Sequence, residues 1–363
     1  MARFFNEKKD LQMANSKFLL KCLPVGNLPY EDVSLTIKMM LKLYESLPYL
    51  AFLPKISNTD NVIDVTLTNL SGVVSKEKRY YLTNNIEKFK QISLYLDSIY
   101  NAPTVEKLEL FEIDTIFMQK YLQILNRIKP AETVVNLLGP FSMSQILFHK
   151  SGVQILADRI YRKFIIQSIV ARALWLISEV KAVSPKTKPI IILEEPLLYR
   201  LGDVKRNNEE ITKDVIVNLF AKVIQKIKEY HGLVGIQCFE KCDWQIPIEA
   251  GVDIISFDAY NNPNNLTIIA EKINDFLVGG GRINWAIVPV MTEALVKSLT
   301  IDQVYSRFVN TVENLVVAGV SERLVYNRAM VSINGNIDKL PLIFAEKALI
   351  LALQLSKRIP VKS

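Results

Sequence analysis

Sulfur and carboxylate side chains that could bind a metal lie close together near residue 240. Cys238 and Cys242 are four residues apart, Asp243 follows the second of them, and Cys22 is the remaining cysteine. A zinc site needs three or four such ligands converging tetrahedrally. A site built from the three thiols is one hypothesis. The other is that each cysteine packs as a small buried hydrophobic residue, which is the commoner role of a free cysteine.

Two adjacent acidic residues, Glu194 and Glu195, follow an apolar run over 190–193. That run predicts a buried β-strand, and neighbouring side chains of a strand point to opposite faces. Only one of the two carboxylates can therefore face a site at the end of the strand. The pattern favours ligand binding by at least one of them over a charge interaction with a helix N-terminus.

The two histidines and the glycine-rich run do not indicate a catalytic site. His149 lies in a loop that enters a long helical pattern, and His231 precedes a predicted strand, so we expect surface or capping roles for both. The glycines at 279–281 also precede a strand, whereas a phosphate-binding loop follows a strand and opens a helix.

Short β-rich runs alternate with longer helical patterns, the order expected of parallel strands joined by helices. The predicted strands cover 18–23, 49–53, 133–138, 190–193, 233–238, 253–257, 283–288 and 324–331. The predicted helices cover 31–46, 83–100, 151–181, 210–230, 265–277, 301–318 and 338–357.

Eight strands are the number that closes a (β/α)8 TIM barrel. We therefore expect a single α/β domain of this type over residues 1–363, with a hairpin insertion near 61–81 and an extra helical segment near 104–128. The active site of such a barrel lies at the carboxyl ends of its strands, where Glu194 and Glu195 would be.

Charge and composition limit the partners and the compartment. The net charge of +7 comes from 44 basic and 37 acidic residues that are interleaved, so we expect no nucleic-acid partner. Three cysteines do not suit a disulfide framework and favour the cytoplasm. Residues 1–10 lack the apolar core of a signal peptide, and Gln167, Arg172 and Ser178 interrupt the apolar stretch 164–180, so we expect no membrane span.

Two segments carry a resemblance to a known family. Residues 235–244 read GIQCFEKCDW and residues 254–260 read IISFDAY. They resemble the zinc-site region of cobalamin-independent methionine synthases, which reads G-V-H-C-C-G-N-T-D-W and I-I-S-F-D-A-Y. Similar turns recur at 26–29, 139–142, 193–196, 279–289 and 331–335. The resemblance spans about 22–355 and matches the C-terminal catalytic barrel, as in short single-barrel relatives.

The resemblance implies a barrel of the uroporphyrinogen decarboxylase and methionine synthase type, and a methyltransferase. It implies a small thiol or amino-acid substrate, with a folate or a methyl-donor protein as the methyl source. The family's zinc ligands fall at Gln237, Phe239, Asp258 and Asn334. Phenylalanine cannot bind zinc and neutral amides bind it poorly, so we expect a degenerate zinc site without metal.

The same resemblance implies a set of substrate-binding residues but no catalytic residue. Glu194 and Glu195 would hold an ammonium group, Ser142 belongs to a turn whose amides line the pocket, and the tryptophans would form pocket walls or else core. The set is Asn27, Ser142, Glu194, Glu195, Cys238, Asp243, Trp244, Asp258, Trp285 and Asn334. Two hypotheses follow: a methyltransferase-like protein that lacks the family's zinc, or an inactive, metal-free protein that binds a small molecule or a protein partner.

Overall fold

The computed structural model of the protein describes residues 22–362, apart from Val25, Lys78 and Val153. Strands alternate with helices over much of this range. The strands are β1 (Val73–Lys76), β2 (Arg79–Leu82), β3 (Glu132–Leu138), β4 (Leu147–Phe148), β5 (Lys188–Glu194), β6 (Leu233–Cys238), β7 (Ile254–Asp258), β8 (Arg282–Val288) and β9 (Ala329–Ile333).

Many of the helices begin at a residue whose side chain accepts a hydrogen bond from the first turn. Asp158 does so for α7, and Thr300 and Gln303 form a capping box at α13. The helices are α1 (Val33–Leu43), α2 (Val62–Leu67), α3 (Ile86–Asn101), α4 (Val105–Leu108), α5 (Met118–Ile128), α6 (Pro140–Ile146), α7 (Arg159–Val183), α8 (Leu201–Asn207), α9 (Lys213–Glu229), α10 (Gln245–Glu249), α11 (Ala270–Val278), α12 (Glu293–Ser298), α13 (Ile301–Val317), α14 (Glu322–Asn327) and α15 (Leu342–Arg358).

Six strands form one parallel sheet in the order β3-β5-β6-β7-β8-β9. They are rich in Ile, Val and Leu and almost wholly buried, as expected of parallel strands that are covered on both faces. Arg282 of β8 binds both carboxylate oxygens of Glu132 of β3 at 2.8 and 2.7 Å, although three strands separate them in the sheet. The sheet is therefore curled, and we call the side that bears this ion pair the inner face.

The prediction of a closed (β/α)8 barrel is wrong, because the described residues give a parallel sheet of six strands. Of the predicted strand at 18–23, residues 18–21 lie outside the described residues. Cys22 forms only an isolated bridge to Val331, and the segment predicted at 49–53 forms only isolated bridges, one of them between Tyr49 and Val134. Pro48 and Pro54 flank the segment at 49–53, and a proline cannot donate to a ladder, so this segment does not extend into a regular strand.

The alternation of side chains gives the curled sheet two different faces. The register sets Gln237 beside Ser256 and Ser256 beside Asn284, and Asn284 lies two residues after Arg282, so all three face inward. The intervening residues Phe257 and Trp285 face outward. Their rings lie 5.3 Å apart. Polar side chains therefore lie on the inner face of the sheet, and aromatic side chains lie on its outer face, beneath the helices.

The regions predicted as insertions contain their own secondary structure. Residues 61–81 form α2 and most of a hairpin, in which β1 pairs antiparallel with β2. Residues 104–128 contain α4, a 3-10 turn and α5. Arg172, buried in the middle of α7, donates to the carbonyls of Phe111, Glu112 and Thr68, and so holds both regions against that helix. None of the helices described in this structure has the length and apolar character to cross a membrane.

We expect the Arg282→Met substitution to lower the free energy of unfolding by about 3 kcal/mol, because it leaves the buried Glu132 carboxylate without its cation. The double variant Glu132→Leu/Arg282→Met removes both charges and should recover most of that loss. Denaturant unfolding of the wild type and both variants measures the difference. A double variant no more stable than Arg282→Met alone would contradict this interpretation.

Candidate functional site

A row of buried polar side chains crosses four neighbouring strands on the inner face. Asn284 of β8 donates to the hydroxyl oxygens of Ser256 and Ser332, at 2.8 Å each. Ser256 in turn donates to the side-chain oxygen of Gln237 at 3.5 Å, and Ser332 donates to the carbonyl of Ile333 at 3.0 Å. Each side chain in the row therefore has a defined donor or acceptor role, and the row forms an ordered hydrogen-bond network inside an otherwise apolar sheet.

Glu194 brings a carboxylate to the same face at the end of β5. Its register partner is Gln237, and the amide nitrogen of Asn136 donates to its Oε1 at 2.6 Å. The residue is half-buried. Burial raises the pKa of Glu194 to about 6, against the opposing effect of the Asn136 hydrogen bond. Glu194 is therefore the inner-face carboxylate that changes charge near neutral pH.

Two acceptor atoms on this face have no hydrogen-bond partner among the described residues. They are Oδ1 of Asn136 and Oδ1 of Asn284. Their orientation follows from their neighbours, since the amide nitrogen of each already faces an oxygen acceptor. Buried carbonyl oxygens without a donor are costly, so this face has an excess of acceptors that a donor-rich ligand would satisfy. We call Asn136, Glu194, Gln237, Ser256, Asn284 and Ser332 the inner-face site.

Asp258 and Asn334 lie together at the carboxyl ends of β7 and β9. The Asn334 amide nitrogen is 3.2 Å from each oxygen of Asp258, while Asn334 Oδ1 accepts from the backbone of Val290 at 3.0 Å. Asp258 also accepts from the backbone nitrogens of Tyr260 and Asn261, at 2.9 Å each. Protein donors thus occupy both side chains, which tie the loops after β7, β8 and β9 together.

Glu195 points away from Glu194 and holds the start of α6. Its carboxylate accepts from the backbone nitrogens of Phe141 at 2.9 Å and Ser142 at 2.7 Å, and it is fully buried. A Cβ on Gly139 would lie 2.2 Å from its Oε1, so only glycine fits there. Burial raises the pKa of Glu195 to about 7, although the hydrogen bonds from Ser142 and Phe141 oppose the shift. Glu195 therefore interacts with the N-terminus of a helix, which was the alternative to ligand binding that the sequence left open for Glu194 and Glu195.

Neither Ser142 nor Asn27 belongs to the inner-face site. The Ser142 hydroxyl accepts from the backbone of Leu197 at 3.0 Å and is buried, so it joins the loops after β3 and β5. Asn27 is half-buried and bridges Phe52 through its backbone. The preceding Gly26 adjoins Asn136, since a Cβ placed there would be 3.6 Å from the amide nitrogen of that residue. Asn27 therefore lies near the inner-face site.

Of the two roles expected for Trp244 and Trp285, pocket wall or core, their positions in the structure are those of core residues. Trp285 points outward and packs edge-on against Phe308 of α13, with 5.9 Å between ring centroids. Trp244 packs against the outward-facing Phe257 at 6.4 Å. Both rings are about 1% exposed. They belong to the core between sheet and helices, because strand alternation assigns Trp285 to the face opposite Asn284.

The cysteines and Asp243 do not converge on a metal site. The thiol of Cys22 lies 3.9 Å from the Tyr44 hydroxyl, and that of Cys238 donates to the carbonyl of Glu240 at 3.5 Å. Burial and then the hydrogen bond with Cys238 raise the pKa of Cys242 well above its usual range. Asp243 is exposed and accepts from the backbone of Gln245 at 3.0 Å. The residues that the structure describes contain no cluster of three His, Cys, Asp or Glu side chains able to hold a metal.

The positions that the resemblance gives to zinc also do not fit the ion. Phe239 has no ligating atom. Asn334 has both ends of its amide committed, to Asp258 and to Val290. Gln237 holds its oxygen toward Ser256. The two histidines lie elsewhere: His149 contacts Ser151 and Tyr161, and His231 occupies a left-handed turn before β6.

Comparison with protein-family models gives no match, and comparison with curated proteins gives none either. The chemistry of the inner-face site therefore carries the functional proposal. Sequence reasoning singled out Glu194 but missed Asn136, Ser256, Asn284 and Ser332. Each is a polar residue at an inward position of an apolar strand, a signal that two-residue periodicity could have revealed once the inner face was known.

We expect the Glu195→Gln substitution to destabilise the protein, because a glutamine offers one acceptor where two backbone N–H groups need one each. The expected loss is about 1–3 kcal/mol at pH 5. The raised pKa means that the folded wild type binds more protons than the unfolded chain between about pH 4.5 and 7, so wild-type stability decreases as the pH rises through this range. The variant lacks this contribution.

The cost of Glu195→Gln should therefore be smaller at pH 8 than at pH 5. Chemical denaturation at both pH values measures it, with Glu209→Gln at an exposed position as the matched control. An equal cost at both pH values, or a Glu209→Gln variant that behaves in the same way, would show that the shifted pKa belongs to another group.

We expect the purified protein, prepared without chelators, to contain far less than one zinc ion per chain, because Phe239 and Asn334 cannot complete a tetrahedral site. Elemental analysis measures the content, and thermal unfolding with and without EDTA should give the same midpoint. Stoichiometric zinc whose loss follows substitution of Cys238 or Cys242 would contradict this expectation.

Proposed function

We propose that the inner-face site binds a small molecule through a primary ammonium group, as an amino acid or an amino thiol would present, and that it does so without a metal. The observation that carries the proposal is the half-buried Glu194 carboxylate beside the partnerless Oδ1 of Asn136. An ammonium group offers three donors and one positive charge. Its protons would form hydrogen bonds with oxygen atoms that have no donor among the described residues.

The balance of donors and acceptors supports a cation rather than an anion at this place. Asn284 directs both of its amide protons at serine oxygens and Asn136 directs one of its two at Glu194, so most of the donor capacity of these two residues is committed to protein oxygens. Glu194 adds negative charge. A carboxylate ligand would meet like charge and unpaired acceptors, whereas an ammonium group would meet both favourably.

The resemblance to cobalamin-independent methionine synthases supports the same class of ligand, since the family holds an amino-acid ammonium at the position of Glu194 and Glu195. Glu195 accepts hydrogen bonds from the start of α6, whereas the one side-chain hydrogen bond of Glu194 comes from Asn136, and this difference supports Glu194 as the residue that binds the ligand. We therefore assign the ammonium contact to Glu194 alone.

Methyl transfer to a bound thiol, from a folate or a methyl-donor protein, is the second candidate function. The observation in its favour is the pKa of about 6 that burial gives Glu194, which lets its carboxylate accept the thiol proton near neutral pH. Without a metal to activate the sulfur, this carboxylate would take the thiol proton as the sulfur–methyl bond forms and the bond between the methyl group and its donor breaks. It would then pass the proton to the demethylated donor. Robust turnover by the wild type, lost in Glu194→Gln, would favour this function over binding alone.

We expect Glu194→Gln to weaken binding of a primary amine by about 1.5–3 kcal/mol, because it removes a charged hydrogen bond, with little change in the melting temperature. Calorimetric titration at pH 8 with a panel of amino acids and amino thiols measures the affinity. Wild-type affinity should also decrease as the pH falls through about 6, since protonation removes the carboxylate charge.

Two controls make this test specific. An N-acetylated ligand lacks the ammonium charge and should bind wild type and variant equally weakly. Glu209→Gln removes an exposed acidic side chain outside the site and should keep wild-type affinity. If amine affinity is unchanged in Glu194→Gln, or if no ligand of the panel binds the wild type, the ammonium assignment is wrong.

A further inference from the structure

A cleft of about 920 Å³ is lined by residues of α3, α7 and α9 and shares no residue with the inner-face site. It is open to solvent and large enough for a small organic ligand, since ligand pockets range over about 300–1,000 Å³. Four cationic and two acidic side chains line it, an excess of two positive charges. They are Arg159, Arg162, Lys163, Lys222, Asp97 and Asp214.

Three of these cationic side chains lie at the end of their own helix where the helix dipole makes a positive charge unfavourable. Arg159, Arg162 and Lys163 lie at the beginning of the 25-residue helix α7, whose first turn contains no acidic residue. The N-terminal end of a helix carries partial positive charge, so cations there are unfavourable and anions favourable. The N-cap Asp158 directs its Oδ1 at the backbone nitrogens of Ile160 and Tyr161.

The cations are also only partly neutralised by the protein. Burial and then the charge of Arg159, one turn away, lower the pKa of Arg162, while the charges of Asp158 and Glu210 oppose the shift. One guanidinium nitrogen of Arg162 donates to the carbonyls of Leu156 and Ala157, at 2.7 Å each. Lys163 pairs with Asp97. Within the described part of the chain, neither Arg159 nor Lys222 forms a salt bridge. A bound anion would offset the charge of Arg159 and the helix dipole together.

An independent observation comes from Gln167, which lines the same cleft and is 4% exposed. Its amide nitrogen donates to Asp97 Oδ1 at 2.6 Å. Its Oε1 is buried and has no partner among the described residues. A fully deprotonated anion such as sulfate has no proton for this oxygen, so a ligand that satisfies the whole cleft must carry a hydroxyl or amino group in addition to its negative charge.

We propose that this cleft is a second ligand site, which binds a phosphate ester whose organic part bears hydroxyl or amino donors. The dianionic phosphate group matches the two excess positive charges and lies between Arg159, Arg162 and Lys222, where arginine can pair with two phosphate oxygens at once. A donor of the organic part reaches Gln167 Oε1. A monocarboxylate would leave one positive charge uncompensated.

The test uses the full-length protein and calorimetric titration with adenosine monophosphate and, separately, with inorganic sulfate. We expect Arg159→Gln and Lys222→Gln each to weaken adenosine monophosphate binding by about tenfold or more, since each removes a charge-assisted contact to phosphate. Lys90→Gln is the matched control, because Lys90 is an exposed lysine of α3 outside the cleft. It should bind as the wild type does.

The Gln167→Leu variant tests the contact to the organic part of the ester separately from the contacts to its phosphate group. It should weaken binding of adenosine monophosphate and leave the affinity for inorganic sulfate, which has no proton to donate, unchanged, and thermal unfolding would verify that each variant is folded. Absence of saturable binding to the wild type, or an equal loss in Lys90→Gln, would overturn the proposal. An equal loss of both ligands in Gln167→Leu would overturn the assignment of the organic group. Amine binding at the inner-face site should not change in any of these variants.

Discussion

Successive side chains of a β-strand point to opposite faces, and this constraint separates the candidate inner-face site from the hydrophobic core. In β8, Asn284 faces inward and binds two serine hydroxyls, while Trp285 faces outward and packs against Phe308. At the end of β5, the same alternation directs Glu194 to the inner face and Glu195 to the first turn of α6. A register shift of one residue would bury Asn284 under the helices and put Trp285 into the site.

Periodicity predicted the parallel sheet well where strands are continuous apolar runs. The predicted strands at 133–138, 190–193, 233–238, 253–257 and 283–288 all overlap strands of the structure. The run at 324–331 was placed too early, because residues Glu322–Asn327 form a helix and a short apolar run does not distinguish helix from strand. The closed barrel failed at 49–53, where a run flanked by Pro48 and Pro54 makes only isolated bridges.

The candidate inner-face site shares Glu194 with the residues predicted from the sequence, but most of its other residues were not predicted. That Glu194 and Glu195 must face opposite ways follows from strand geometry alone. Which of them faces a ligand depends on the position of α6, a tertiary fact that a single sequence does not contain. Asp258 and Asn334 were expected to meet a ligand but bind each other and neighbouring backbone instead, and Asn136 escaped notice as one polar residue within an apolar strand.

The proposed ammonium site rests on two acceptor oxygens of the inner face, those of Asn136 and Asn284, that have no donor among the described residues. The most direct measurement is a crystal structure of the protein with a bound amino acid, at a resolution that shows the hydrogen-bond partners of each oxygen. We expect the ligand nitrogen within hydrogen-bond distance of a Glu194 carboxylate oxygen and of Asn136 Oδ1. An amino acid bound elsewhere, or an inner face whose oxygens are all satisfied by protein side chains, would contradict the metal-free ammonium site.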